Sequence, residues 1–218
     1  MPFFHFGPEE TRTLIQLARG MIGKLNLMLM CEGDEDERDL NALTNKLGIP
    51  IPNGTGLTCC GGVDQLQELS RYVAALANVS RTLKGIVLII DADTSNVAQR
   101  VQSLIQSLRS HNIQIENPEL VSGSIYRATA RSLVGSLNFL VKIAGEMSLP
   151  FTSHERDDYA VRLLILNGAI TMNELAGFSK SSDFLDSRNE ESNKIIQNSP
   201  EANVRDAYEN IINLLQML

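Results

Sequence analysis

Two continuous apolar runs, each stopped by acids, restrict what this chain can fold into. Leu25 to Cys31, broken only by Asn26, ends at Glu32-Gly33-Asp34-Glu35-Asp36, and Ile86 to Ile90 ends at Asp91-Ala92-Asp93. Neither run alternates with polar residues, so each suits a parallel strand covered on both faces. The carboxylates would then emerge together at one edge of the sheet, the edge at which open α/β sheets place their chemistry.

The segments behind the runs read as helices. Leu40, Leu43 and Leu47 recur at helical spacing, with a capping signature at Asp34 and Glu37 and a stop at Gly48 and Pro50. Leu57 to Cys60 is a shorter run, followed by the turn Gly61-Gly62 and a stripe of Val63, Leu66, Leu69, Val73 and Leu76. Val97, Val101, Leu104, Ile105 and Leu108 form a third stripe behind Ile90. Three strand-then-helix units in series imply right-handed crossovers, a parallel sheet and an α/β fold class. Residues 120–147 carry both periods: Leu133, Leu137, Leu140, Ala144 and Met147 recur helically, whereas Leu137, Phe139, Val141 and Ile143 alternate with their neighbours. The alternation places a fourth strand at about 137–144.

The flanks are predicted helical. A short helix is expected within 9–22, one over 156–167 stopped by Gly168, and one opened by Thr171 with Glu174 as its capping box. The polar stretch 179–198 reads as mobile or as a loosely packed helix. Ser199-Pro200 sets a cap and an N1 proline before the stripe Val204, Ala207, Tyr208, Ile211, Leu214, Leu215 and Leu218. The organisation expected is an N-terminal segment, 1–24, an α/β domain, 25–167, and a C-terminal helical extension, 168–218.

With 218 residues, 43% of them hydrophobic, the chain can bury one core with a small helical appendage. A net charge of −7 argues against a stand-alone, sequence-independent nucleic-acid binder, which draws its affinity from Lys and Arg on phosphates. A metal-dependent enzyme would still bind a phosphodiester through its ion. Cys31, Cys59 and Cys60 offer neither a disulfide framework nor zinc spacing, which suits a reducing cytoplasm. The N-terminal Phe3, Phe4, His5 and Phe6 lack a basic leader, and no window approaches the roughly 18 apolar residues of a membrane span. A soluble protein with no membrane association is expected.

Asp91-x-Asp93 leaves a strand for a turn, where both carboxylates can converge on one hard cation. Magnesium takes few protein carboxylates, keeps waters, and completes its shell with substrate phosphate oxygens. Glu32 at the neighbouring strand end would add a ligand or handle a proton if nearby negative charge raised its pKa. Each motif also has a purely structural reading. Asp34, Glu35 and Asp36 stand where the helix macrodipole favours acids, and Asp93 fits as the N-cap of the third helix.

Glu32-Gly33-x-x-Asp36 after one strand and Asp91-x-Asp93 after a later one resemble the toprim domain shared by topoisomerases, bacterial primases and OLD-family nucleases. The run from Leu57 through Gly61-Gly62 to Thr94 is similar to small toprim-like proteins allied to OLD nucleases, and the likeness covers about residues 25–110. It implies a Rossmannoid parallel sheet with helices on both faces and a Mg2+ site, with Mn2+ as a substitute. It also implies acid/base or metal duty for Glu32 and ion binding by Asp91 and Asp93, with Asp36 in support. Asp157 and Asp158 stand where OLD-like relatives carry a further acidic pair.

The resemblance implies a nuclease acting on DNA or RNA, or the nuclease subunit of an assembly with an ATPase partner, since no phosphate loop is visible in this chain. Lys142, Arg156 and Arg162 are the nearest phosphate clamps by sequence, each also readable as an ordinary surface charge. The competing reading is a non-catalytic toprim-like module that binds or regulates such a partner. A phosphotransfer receiver fits less well, for want of a lysine partner. His5, His111 and His154 show no ligand spacing and read as surface or turn residues. Gly61-Gly62 is a tight turn that also offers N–H groups to an anion. The C-terminal stripe serves core packing or, alternatively, a homo-oligomer helix.

Overall fold

In the computed structural model, which describes residues 4–6, 25–59 and 65–218, the two apolar runs are the central strands of one sheet. Seven strands make it up: β1 (Phe4–Phe6), β2 (Leu27–Cys31), β3 (Thr55–Cys59), β4 (Gly85–Asp91), β5 (Gln114–Ser122), β6 (Ile125–Ser132) and β7 (Gly135–Ala144). Their order is β1-β3-β2-β4-β7-β6-β5. The first five in that order run parallel, and β6 and β5 add an antiparallel end.

Side-chain alternation explains why the central runs are apolar throughout. On β4, Ile86, Leu88 and Ile90 enter one core while Val87 and Ile89 enter the other. The first core lies under α2 (Gln65–Val79) and α3 (Val97–Ser110). The second lies under α1 (Asp34–Leu47), α4 (Asp158–Leu166) and the C-terminal helices. Helices on both faces of a largely parallel sheet make the fold α/β, as the strand-helix pattern predicts.

Three strands, β1, β5 and β6, escape the sequence reading. β5 is an edge with one solvated face and shifted register around Asn117-Pro118, so its apolar pattern is thin. β6 reads as polar because alternate residues face solvent. The strand expected at 137–144 is observed as β7. The helix expected within 9–22 and the Gly61-Gly62 turn lie outside the described residues.

Several boundaries move. The first helix is capped at Gly33, not Asp34: the Asp36 carboxylate accepts the Gly33 N–H at 2.9 Å. Asp93 is not a cap either. Asn96 caps α3, accepting from Gln99 N–H at 2.9 Å while Gln99 accepts from Asn96 N–H at 3.3 Å. Thr171 and Glu174 form their capping box on a single 3-10 turn, Met172–Leu175. The polar stretch read as mobile or as a loosely packed helix holds two short helices, α5 (Ser181–Ser187) and α6 (Ser192–Asn198), anchored by buried Phe184, Leu185, Ile195 and Ile196. Pro200 is the cap residue itself, ahead of α7 (Glu201–Ala207) and α8 (Glu209–Gln216).

The C-terminal stripe is buried within the chain's own core: Val204, Tyr208, Ile211, Leu214 and Leu215 are each at most 2% exposed. The extension is therefore a layer of the fold, not an appendage, and its apolar face has an occupant inside the chain. Among the described residues, no helix is long and apolar enough to cross a membrane.

Candidate functional site

Adjacent strands β2 and β4 feed helices on opposite faces: β2 leads to α1 in one layer, β4 to α3 in the other. Such a switch point opens a crevice beyond the strand ends. Here Glu32 follows β2 and Asp91 closes β4, and a cleft of about 240 Å³ lined by both also takes in Asp36, Arg156 and Asp157.

Glu32 is 2% exposed. Its Oε2 accepts the Asp91 N–H at 3.1 Å and its Oε1 accepts from Arg100 Nη2 at 2.9 Å, so one carboxylate ties β2 to β4 and to α3. Asp91 Oδ1 in turn accepts the Arg156 N–H at 2.9 Å. The Arg156 guanidinium lies 3.3 Å from Asp36, 3.3 Å from Glu35, 3.4 Å from Asp39 and 2.5 Å from Asp157. Asp36 and Asp39 occupy the buried stripe of α1 beside Leu40 and Leu43.

So many enclosed acids raise one another's pKa. Burial pushes Glu32 up to about 7, against the opposing pull of Arg100 and the Asp91 N–H. Asp91 is held well above the carboxylate range by burial and then by Asp36 and Glu32, and Asp36 is raised by burial as well. Burial takes Asp39 to about 8. Burial disfavours charge on Arg156, yet Asp39, Asp36 and Asp157 outweigh it and hold the guanidinium firmly protonated.

The other candidates divide. Asp93 is in left-handed backbone, φ 54°, and exchanges two backbone bonds of 2.8 Å with His154. Its carboxylate lies 2.8 Å from Arg100 Nη2 and is half exposed. Asp157 lines the cleft but accepts from Ser192 Oγ at 2.7 Å, which fixes α6. Asp158 turns away from the cleft: its Oδ2 accepts the Glu146 N–H at 2.9 Å and pairs with His154 Nδ1 at 2.8 Å, and burial raises it to about 6.

Of the basic residues, Lys142 and Arg156 are buried and are not surface charges; Arg162 pairs with Glu146 and Asp206. His111 ends α3, and the side chain of His5 lies outside the described residues. Two site residues, Arg100 and Asp39, escape the sequence reading. Arg100 sits in the first turn of the helix behind Asp91-x-Asp93, close enough to reach back to the strand end. Asp39 completes the spacing Asp36, Asp39, Leu40, Leu43, acids set into an apolar stripe.

Three enclosed carboxylates from adjacent strand ends and one helix start form an all-oxygen donor set of the kind a hard divalent cation takes. As the side chains stand, both oxygens of Glu32 and of Asp36 face N–H groups and guanidinium, and Asp91 Oδ1 accepts the Arg156 N–H. Among the described residues no group of three or more His, Cys, Asp or Glu is arranged to hold an ion.

Fold and site together define an α/β protein with a carboxylate cleft at its switch point. The chain belongs to the family described as Protein of unknown function (DUF3226), whose model matches residues 26–138, more than half of the sequence. The match runs from β2 into β7 and so includes Glu32, Asp36, Asp91, Asp93 and Arg100. No curated protein and no solved structure matches the chain.

Proposed function

We propose that the chain is a Mg2+-dependent hydrolase of nucleic-acid phosphodiesters of the toprim type, acting alone or as the nuclease subunit of a larger assembly. The observation that carries the reading is the meeting of Glu32, Asp36 and Asp91 in one cleft at the switch point. Asp91 and Asp93 would hold the ion, with Asp36 in support. When bound, magnesium or manganese supplies the positive charge that lets an acidic cleft accept a phosphodiester. Glu32, which burial raises to a pKa of about 7, is poised to exchange a proton near neutrality. Asp157 and Asp158 serve the scaffold in this account, tethering α6 and the strand-to-helix turn at Glu146.

The test is cleavage of supercoiled plasmid, single-stranded DNA and RNA with Mg2+ or Mn2+. Asp91→Ala should lower the rate at least roughly a hundredfold, a loss of about 2.7 kcal/mol in transition-state stabilisation. Undiminished cutting by the Asp91→Ala protein overturns the assignment.

One observation favours a second reading, a non-catalytic module that works with a partner such as an ATPase. Among the described residues lining the cleft, Arg156 is the one cation, and it is committed to the surrounding carboxylates. Absence of any cutting by the wild-type chain, with or without an added ATPase, supports that reading.

A further inference from the structure

Arg100 makes the contacts that set this cleft apart from a plain group of acids. Its Nε–H donates to the Asp91 carbonyl at 2.8 Å, and Nη2 alone serves two carboxylates, Glu32 Oε1 at 2.9 Å and Asp93 Oδ2 at 2.8 Å. The arginine side chain is 16% exposed, Glu32 3% and Asp93 51%. The two carboxylates are therefore held unequally. Glu32 is enclosed and has a second bond from the Asp91 N–H. Asp93 is half in solvent, and its carboxylate rests on Arg100. One positive charge thus sits between Glu32 and Asp93, the second of which is an ion ligand in the reading above.

Resting on the cation-site reading above, we propose that Arg100 is an intramolecular competitor of the divalent ion. In the ion-free protein the guanidinium neutralises Glu32 and Asp93. Ion binding takes Asp93 from it, the exposed and singly held partner, while Glu32 and the Asp91 carbonyl stay on Arg100. Arg100 is then a positioning residue that sets the ion affinity of the cleft and keeps its strand ends together without an ion. Arg156 cannot exchange in this way, because it is 8% exposed and enclosed by Asp36, Asp39 and Asp157. Two like charges a few ångströms apart repel strongly even at intermediate dielectric, so removing one should be plainly measurable.

The experiment is titration of the full chain with Mn2+, following the electron paramagnetic resonance signal of the free ion, with no nucleic acid present. Arg100→Gln should bind Mn2+ roughly tenfold or more tightly than wild type. Arg109→Gln, which removes a charge near the far end of the same helix, should change affinity by less than about twofold. Arg100→Lys keeps the charge but loses the Nε–H that anchors the side chain on the Asp91 carbonyl, and should fall between wild type and Arg100→Gln.

Unchanged or weaker binding by Arg100→Gln overturns the proposal while leaving the cation site standing. Absence of Mn2+ binding by both wild type and Arg100→Gln removes the cation site and the competitor together. If Arg100→Gln fails to fold, Arg100→Lys decides: tighter binding than wild type supports competition, and equal or weaker binding overturns it.

Discussion

Lys142 shows what one misplaced charge does inside this core. It is fully buried on β7, donates to Ser124 Oγ, and has its ammonium 5.7 Å from the centre of the Tyr159 ring. Burial lowers its pKa from 10.5 to about 8, with Glu146 pulling the other way. Below pH 8 both folded and unfolded chains carry the proton, so the folded state bears the full penalty of holding a buried ammonium. That penalty is about 3 kcal/mol, because each tenfold loss of proton affinity on folding costs roughly 1.4 kcal/mol. Between about 8 and 10.5 the folded state loses the proton first, and the penalty fades as pH rises. Lys142→Met should therefore stabilise the protein by about 1–3 kcal/mol at pH 7. Ser124 keeps its bond to the Ile143 carbonyl at 2.6 Å, so no polar group is orphaned. Urea unfolding of both proteins at pH 7 and pH 10.5 checks this: the advantage should be largest at pH 7 and nearly gone at pH 10.5. The burial itself was not legible, because a lysine between Val141 and Ile143 reads as the polar half of an alternation.

At the scale of elements, the cleft depends on how helices start. α3 must begin where it does for Arg100 to reach Asp91, Glu32 and Asp93, and Asn96 fixes that start. Asn96→Ala should cost about 1 kcal/mol in urea unfolding, the usual worth of such a cap. The same variant should loosen the Arg100 contacts, and amide hydrogen exchange at Asp91, whose N–H is held by Glu32, should quicken severalfold as an independent readout. Unchanged exchange would separate the cap from the site. Sequence periodicity located α1, α2 and α3, but not their caps. Asp34 with Glu37 and Gly33 with Asp36 differ by one residue, and only the backbone path out of β2 selects the second pair. The short helices α5 and α6 were illegible for a related reason: Glu155 accepts the Ser182 N–H at 2.6 Å and Asp157 holds Ser192, contacts made across the chain.

At the scale of the molecule, the 168–218 segment decides whether the sheet is covered. Ile196, Val204, Tyr208, Ile211 and Leu215 join one apolar cluster with Leu29, Val87 and Ile89 of the central strands. Burying a large apolar side chain contributes about 1.5–3 kcal/mol. The five together are then comparable with a domain's entire stability of about 5–15 kcal/mol. A chain ending at Asn167, the boundary that sequence alone suggests for the α/β domain, should lack a cooperative thermal transition and bind a hydrophobic dye. A sharp melt from that truncated chain would show the extension to be dispensable.

The α/β class, the central strands and the joint emergence of Glu32 and Asp91 follow from the sequence by itself, because a doubly covered parallel strand must be apolar along its whole length and carboxylates cannot continue it. Tertiary structure alone decides which acids share the cleft. Asp36 enters it on the buried stripe of α1, with Asp39 behind it against Arg156, whereas Asp158, one residue from Asp157, faces His154 instead. It also decides what neutralises them. Arg100 and Arg156 come from different elements, and only the packing of α3 and the turn before α4 against the strand ends brings each guanidinium within bonding distance of its carboxylates.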